Sequence, residues 1–369
     1  MKKLLCLVIS VILIVGLVAC AAPAAPTPAA PTATTPPVPG TEAPVPPPAE
    51  APVTPAAPDD PLEAWPSLQG ENLRMAFMFK DTTSPFWRYM WAGAIEAAAK
   101  YGIEVVEFSP LQAQNHEEQA RQMEDVIMQG FDAIMLAAVD TTAIIPFVYQ
   151  AYEAGIPVIT ANTRVDGGPV ETFIGLDNYD GALIMSRAMM EKLGGEGTVI
   201  IVDGNPASTT SQQRNQGLRD GAADFPGVEI IVTAPGYFQR ANAMTLMENM
   251  IQAVPQIDAV MAMNDEMALG SLQALRAAGL EQDVFISGFD GALEGLEAIR
   301  DGFMHFSLDQ DPIGLGYWSV VYALDVLEAH ANGAPLGGHI LPTWIIEGGH
   351  LMSIENAADA VQRFRDHGF

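Results

Sequence analysis

The stretch that decides the fold is AMNDEMALG at residues 262–270, together with ISGFDG at residues 286–291. Each segment follows a short apolar run and begins a helix-like pattern. Each also places an amide or a carboxylate, Asn264 or Asp290, where a strand is expected to end. In an open α/β sheet, that edge is where small ligands bind. The two segments therefore predict a binding site for a hydroxyl-rich small molecule.

Outward from these segments, short apolar runs alternate with amphipathic helices from residue 73 onward. Strands that alternate with helices of about a dozen residues indicate parallel βαβ units. Runs that are apolar throughout indicate sheets covered on both faces. There are too many units for one sheet, so we expect an α/β fold with two doubly wound parallel-sheet lobes that divide near Leu176. The predicted strands lie at residues 74–79, 103–108, 133–137, 156–160, 198–202, 228–232, 259–262 and 284–286.

The amino terminus has the pattern of a bacterial lipoprotein signal. Lys2 and Lys3 precede an apolar segment at residues 4–16, which is short for a membrane span. The following LVAC, residues 17–20, resembles the lipobox, in which cleavage precedes the cysteine and its thiol receives a diacylglycerol. An ordinary secretory signal with a chance cysteine is the alternative. We expect a signal at residues 1–20, lipidation of Cys20, and a disordered Pro/Ala/Thr-rich tether at residues 21–70.

Composition and motifs exclude several function classes. The 369 residues include 17 basic and 45 acidic side chains, a net charge of −28, which argues against nucleic acid as a partner. The HExxH, CxxC, Walker and GxSxG motifs do not occur, and the six histidines lack metal-ligand spacing. We therefore predict no enzyme, no cofactor and no metal. A carbohydrate-hydrolysing enzyme with Asp203 and Asp290 as its acid pair is the enzymatic alternative.

Aromatic side chains alternate with amides, acids and guanidinium groups after the predicted strands. Flat aromatic faces stack on the C–H faces of sugar rings, and amides and acids bind hydroxyl groups. A buried hydroxyl without a partner costs about 1–3 kcal/mol, so a sugar site requires several such groups. Asp81, Asp140 and Asp265 are expected to be loop or helix-capping acids instead. Arg240 is expected to pair with a surface acid.

Specific motifs resemble those of the type I periplasmic binding proteins, in particular the ribose-binding subgroup. NDEMALG (264–270) and GFDG (288–291) carry the resemblance, with support from SPFW (84–87), GIPVIT (155–160) and DQDP (309–312). The resemblance extends over residues 73–346 and implies two similar lobes joined by three crossings. It places residues 71–176 and 311–341 in the first lobe. It places residues 177–310 and 342–369 in the second lobe.

The resemblance also implies a set of ligand contacts. Phe86 and Trp87 would form one aromatic wall and Phe238 the opposite wall. Asn162 stands where sugar binders usually have Asp, and Gln212 stands where the ribose subgroup has Arg, which argues against ribose itself. Core packing is the alternative role for the aromatic residues. The full implied set is Phe86, Trp87, Asn162, Arg164, Gln212, Arg214, Phe238, Asn264, Phe289, Asp290 and Gln310.

These observations together predict a lipid-anchored solute-binding protein of an ABC importer. The expected partners are a small-molecule sugar or polyol, the transmembrane subunits of an ABC permease, and a membrane held through the lipid anchor. We expect a monomer in the cell envelope, on the periplasmic or extracellular face of the membrane. The alternative is the ligand-binding component of a chemosensory or quorum-signal system.

Overall fold

The computed structural model of the chain describes residues 62–338, the backbone of residues 344–346, and residues 350–369. The predicted signal, Cys20 and most of the predicted tether lie outside these described residues. The strands in chain order are β1 (Arg74–Met78), β2 (Glu104–Phe108), β3 (Ala133–Leu136), β4 (Val158–Ala161), β5 (Thr172–Leu176), β6 (Glu196–Val202), β7 (Gly227–Val232), β8 (Ala259–Ala262), β9 (Phe285–Asp290), β10 (Phe306–Asp309), β11 (Trp344–Ile346) and β12 (His350–Met352).

Helices connect these strands and cover both faces of the sheets. They are α1 (Pro85–Tyr101), α2 (His116–Gln129), α3 (Ile145–Glu153), α4 (Asn178–Leu193), α5 (Thr209–Ala222), α6 (Arg240–Ala253), α7 (Asp265–Ala278), α8 (Leu293–Arg300), α9 (Pro312–Ala331) and α10 (Ala357–Asp366). None of the helices in the described ranges is both long and apolar enough to cross a lipid bilayer.

The strands form two six-stranded sheets, one in each lobe. The first has the order β11-β5-β4-β3-β1-β2 and is parallel throughout. The second has the order β12-β10-β9-β8-β6-β7, in which only β12 runs antiparallel to its neighbour. Strands such as β3, β4 and β8 are buried along their whole length, as the uniformly apolar runs predict. The predicted fold of two parallel-sheet α/β lobes is confirmed.

The chain passes between the lobes three times, and one predicted boundary is wrong. It crosses after β5, returns after β10, and crosses again between β11 and β12. We expected the last crossing near residues 341–343. Instead, Trp344–Ile346 adds a parallel edge strand to the first sheet beside β5, so this crossing follows Ile346. An apolar triplet at a sheet edge gains backbone partners there, and it remains in the first lobe for that reason.

The predicted tether also ends earlier than residue 70. Trp65 is only 5% exposed, and its Nε1 donates a hydrogen bond of 2.7 Å to Asp325 Oδ1 on α9. A 3₁₀ turn at Pro66–Leu68 follows, and Leu68 is buried. Ser67 Oγ donates to Glu328 Oε1 at 2.8 Å. Residues 65–68 are therefore folded onto the first lobe, because an aromatic and a leucine there find apolar surface to cover.

Candidate functional site

The carboxyl ends of the strands in the two sheets face each other across a cleft. The cavity there has a volume of about 40 Å³. The surrounding side chains come from the carboxyl end of β9, from the loops that follow β1, β2, β4, β7 and β8, and from the first turns of α1 and α5. The lining residues are Lys80, Asp81, Ser84, Phe86, Trp87, Gln114, Asn162, Thr210, Arg214, Phe238, Asn264 and Asp290.

Aromatic rings form two sides of this cavity. Phe86 and Trp87 lie in the first turn of α1, and their ring centroids are 5.1 Å apart in an edge-on arrangement. Trp87 also stacks on the core residue Phe79 at 5.7 Å, which fixes the plane of its indole. Phe238 lines the cavity from the second lobe, on the loop before α6. The cavity thus offers flat apolar faces from both lobes to one guest.

Arg214 and Asp290 form a charged pair in the cavity. Arg214 Nη1 lies 3.5 Å from Asp290 Oδ1, and Arg214 Nε donates to Asn178 Oδ1 at 2.8 Å. The guanidinium carbon also lies 3.6 Å from the centre of the Phe289 ring. These contacts hold Arg214 in one orientation. Burial raises the pKa of Asp290 to about 7, although Arg214 acts in the opposite direction.

A chain of hydrogen bonds joins Asp290 to the first lobe. Gln310 Nε2 donates to Asp290 Oδ1 at 2.7 Å, and Asn162 Nδ2 donates to Gln310 Oε1 at 3.2 Å. Thr163 Oγ1 then donates to Asn162 Oδ1 at 3.0 Å. Gln310 does not line the cavity, so its position is that of a bridge beneath Asp290 and Asn162 rather than of a direct ligand contact.

Asn264 lines the cavity and also caps a helix. Its Oδ1 accepts from Met267 N at 2.9 Å and so caps α7, while its Nδ2 donates to Phe238 O at 3.2 Å. The expectation that Asp265 caps this helix is wrong. Asp265 is fully buried and accepts from Ser307 Oγ at 2.7 Å and Ala292 N at 2.8 Å. Its carboxylate ties β9 and β10 to α7 behind the cavity.

Lys80 is a charged cavity residue that the sequence reasoning did not select. It lies two residues after the end of β1, is 6% exposed, and its Nζ lies 3.5 Å from Ser208 Oγ and 5.5 Å from the centre of the Phe238 ring. Burial, followed by repulsion from Arg214, lowers the pKa of Lys80 to about 7. The position of Lys80 near the carboxyl end of β1 could have identified it as a candidate cavity residue.

Four more lining residues were not among the predicted contacts: Asp81, Ser84, Gln114 and Thr210. Asp81 Oδ1 accepts from Thr83 N at 2.8 Å and Ser84 N at 3.0 Å, so it organises its loop as the sequence predicts. Gln114 lies in an irregular segment between β2 and α2, where no periodic pattern identifies it.

Besides Gln310, three predicted contacts lie outside the cavity lining. Arg164 instead covers the Phe173 ring, with 3.8 Å from its guanidinium carbon to the ring centre. Gln212 is exposed, and its Nε2 donates to Pro206 O at 2.9 Å. Phe289 is fully buried in the core of the second lobe and supports Arg214 from below. The structure corrects the placement of these three side chains. Arg240, as expected, pairs with an acid, Glu266, at 2.7 Å.

Backbone strain is concentrated around the cavity. Six non-glycine residues in the described ranges have a positive φ angle: Gln114, Asn162, Tyr237, Phe238, Asp290 and Asp311. Four of them line the cavity. Such backbone conformations are unfavourable for residues other than glycine, and they cluster at binding and catalytic sites. Within the described chain, no group of three His, Cys, Asp or Glu residues is arranged to hold a metal ion.

Comparison with known proteins agrees with this geometry. The profile of the family described as "Periplasmic binding protein domain" matches residues 75–331. The ribose import binding protein of Bacillus subtilis is 32% identical over 272 residues, which cover 73% of this chain and 87% of that protein. These relatives are named as binding proteins, not as enzymes.

Solved structures of solute-binding proteins share the fold. One from Bacillus halodurans, with bound myo-inositol, has a TM-score of 0.71 and 29% identity, and the match covers 80% of this chain and 98% of that one. Another from Actinobacillus succinogenes, with bound D-allose, has a TM-score of 0.71 and 25% identity, and the match covers 78% of this chain and 100% of that one.

Proposed function

This chain belongs to the periplasmic binding protein domain family, and we propose that it captures a monosaccharide-like ligand between its two lobes outside the cytoplasm. We further propose that Cys20 carries a lipid anchor and that the protein delivers its ligand to an ABC importer. Binding involves no chemical change of the ligand. The lobes, hinged at three crossings, are expected to close on the guest.

One observation carries the proposal: aromatic and hydrogen-bonding side chains from both lobes converge on one cavity. Trp87 and Phe238 supply flat faces, while Asn264, Asp290 and Arg214 supply donors and acceptors. A sugar or cyclitol presents C–H faces and hydroxyl groups, which this combination satisfies. Relatives named for ribose and structures with bound D-allose and myo-inositol support a polyhydroxylated ligand.

Calorimetric titration with a panel of pentoses, hexoses, polyols and cyclitols tests the ligand class. We expect at least one member of the panel to bind with saturable heat. Trp87→Ala should abolish that heat, because it removes an aromatic face of the cavity. A correctly folded protein that gives no heat with any member of the panel would contradict the proposal.

The lipid anchor has its own test. In a bacterial host, the chain with Cys20→Ser should leave the membrane fraction, while the parent chain remains with it. Cys6→Ser is the matched control, because Cys6 precedes the proposed cleavage point and should not alter fractionation. Equal membrane association of the parent and Cys20→Ser chains would argue against lipidation.

Delivery to a permease and signalling to a receptor differ in what a gene deletion removes. If the chain serves an importer, deletion should abolish uptake of the radiolabelled sugar that binds in calorimetry. If uptake persists while a behavioural or transcriptional response to that sugar is lost, the chain belongs to a sensory system instead. The same deletion strain and the same sugar serve both measurements.

A further inference from the structure

The two lobes also touch each other at the end of the cleft farthest from the crossings. The crossings adjoin β5, β11, β10 and β12, which lie at one end of the two sheet orders. The half of each sheet away from the crossings carries β3, β1 and β2 in the first sheet and β8, β6 and β7 in the second. Contacts between the loops that follow these distant strands must therefore break when the lobes rotate apart.

Asn205, on the loop after β6, is the centre of these contacts. Its Nδ2 donates to Gln114 Oε1 at 2.5 Å and to Val139 O at 3.3 Å, both on the first lobe. Gln114 Nε2 in turn donates to Tyr237 O at 3.0 Å, back on the second lobe. Gln114 and Tyr237 hold positive φ angles of 67° and 56°, so the contact is maintained at a conformational cost.

A second pair of bonds lies beside Asn205. Ala207 O, two residues further along the same loop, accepts from Thr141 N at 3.2 Å and from Thr141 Oγ1 at 3.3 Å. Asn205 and Thr141 are 6% and 2% exposed, although each belongs to a surface loop. We call the six residues the latch: Gln114, Val139, Thr141, Asn205, Ala207 and Tyr237.

We propose that Asn205 is a positioning residue that holds the lobes closed and thereby sets ligand affinity without contacting the ligand. Of the six latch residues, Gln114 lines the cavity, whereas Asn205, Val139, Thr141, Ala207 and Tyr237 do not. A ligand that binds the closed form has an apparent affinity reduced by the fraction of molecules that are open. Latch bonds are the same for every ligand, so their loss should weaken all ligands equally. This inference rests on the proposed function in one respect, that the cleft opens and closes.

Asn205→Asp is the most selective variant that the geometry offers. Asn205 Oδ1 accepts from Ala207 N at 2.9 Å within its own loop, and an aspartate retains that bond. The variant loses both donations to the first lobe and places a carboxylate against two acceptor oxygens. Gln114 can turn its amide toward the new carboxylate only by giving up Tyr237. Gln282→Glu is the control, since it adds the same charge on the exposed loop before β9, at the amino end of that strand.

Spin-label distances test the latch independently of any sugar. Labels are introduced through Ala143→Cys and Ala241→Cys, exposed sites on the two lobes, in a full-length chain with Cys6→Ser and Cys20→Ser. Without sugar, we expect a mainly open-lobe distance with a detectable short, closed-lobe fraction in this labelled chain and in its Gln282→Glu derivative. The Asn205→Asp derivative should lose the closed-lobe fraction, with its melting temperature unchanged. Equal distance distributions with and without Asn205→Asp would overturn the proposal, as would the absence of the short distance from the labelled chain.

Calorimetry then tests the equal effect on all ligands. The probes are D-ribose, D-allose and myo-inositol, restricted to those that bind the parent chain. Asn205→Asp should weaken each by the same factor, up to roughly thirtyfold for two lost hydrogen bonds. A change in the ratio of affinities would show that Asn205 acts on the ligand and would overturn the proposal. If no probe binds, the proposed function fails, while the spin-label result still decides the latch.

Discussion

Replacing Lys80 with methionine should change how the stability of the ligand-free protein depends on pH. Burial lowers the pKa of Lys80 from 10.5 to about 7. Between these values the unfolded chain binds more protons than the folded chain, so the free energy of unfolding of the parent rises with pH. At 1.36 kcal/mol per pKa unit, the contribution across this window is at most about 5 kcal/mol. Lys80→Met removes this pH-dependent contribution to the free energy of unfolding, because methionine fills similar space without a charge.

The assay is urea unfolding of parent and variant at several pH values between 7 and 10.5. Lys80→Met should be the more stable chain at pH 7, and its advantage should shrink by several kcal/mol toward pH 10.5. Lys100→Met is the matched control: Lys100 Nζ donates to Tyr317 OH at 2.6 Å, which raises its pKa, so its stability difference should stay constant in this window. A Lys80→Met advantage that does not change with pH would refute the reasoning.

Three further predictions concern affinity and stability. Asp290→Asn should weaken the panel sugar about 100-fold in calorimetry, because charge-assisted bonds to hydroxyls are lost, whereas the exposed Gln212→Ala should leave the affinity unchanged. If Asp290→Asn and Gln212→Ala changed the affinity equally, the placement of Asp290 in the binding site would be wrong. In Gly204→Ala, the new Cβ would overlap Ser211 Oγ and lie 2.8 Å from Phe238 Cζ, so the Ser211 hydroxyl and the ring must both move and affinity should fall about tenfold. Unaltered affinity would show that the Phe238 ring does not contact the ligand. Trp65→Phe should lower the free energy of unfolding by about 1–2 kcal/mol in urea, through loss of the indole hydrogen bond, without changing affinity. No loss of stability would mean that residues 65–68 are not part of the folded lobe.

The sequence predicted the sheets well where strands are buried on both faces. Runs such as β3 and β8 are apolar at every position, and helices of regular length separate them, so a parallel arrangement was the consistent solution. The pattern failed at β11. That strand has three residues and follows a long connection from α9, so neither its length nor its neighbours indicated which sheet it joins.

The sequence predicted the position of the cavity better than it predicted which side chains line it. Asn162, Asn264 and Asp290 meet because each lies just after or at the carboxyl end of a strand. Gln212 and Arg214 are two positions apart in α5, so their side chains point about 200° apart around the helix and only one can face the cleft. Spacing alone does not say which of the two faces the cleft.

The charges in the cavity favour a neutral polyhydroxylated guest over a sugar acid. Burial acts in opposite directions on two lining residues: it lowers the pKa of Lys80 to about 7 and raises the pKa of Asp290 to about 7. Both charged forms are therefore unfavourable until a polar partner replaces the lost water. A carboxylate would stabilise Lys80 but repel Asp290. A hydroxyl group accepts from an ammonium and donates to a carboxylate, so a ligand with several hydroxyls stabilises both charges at once.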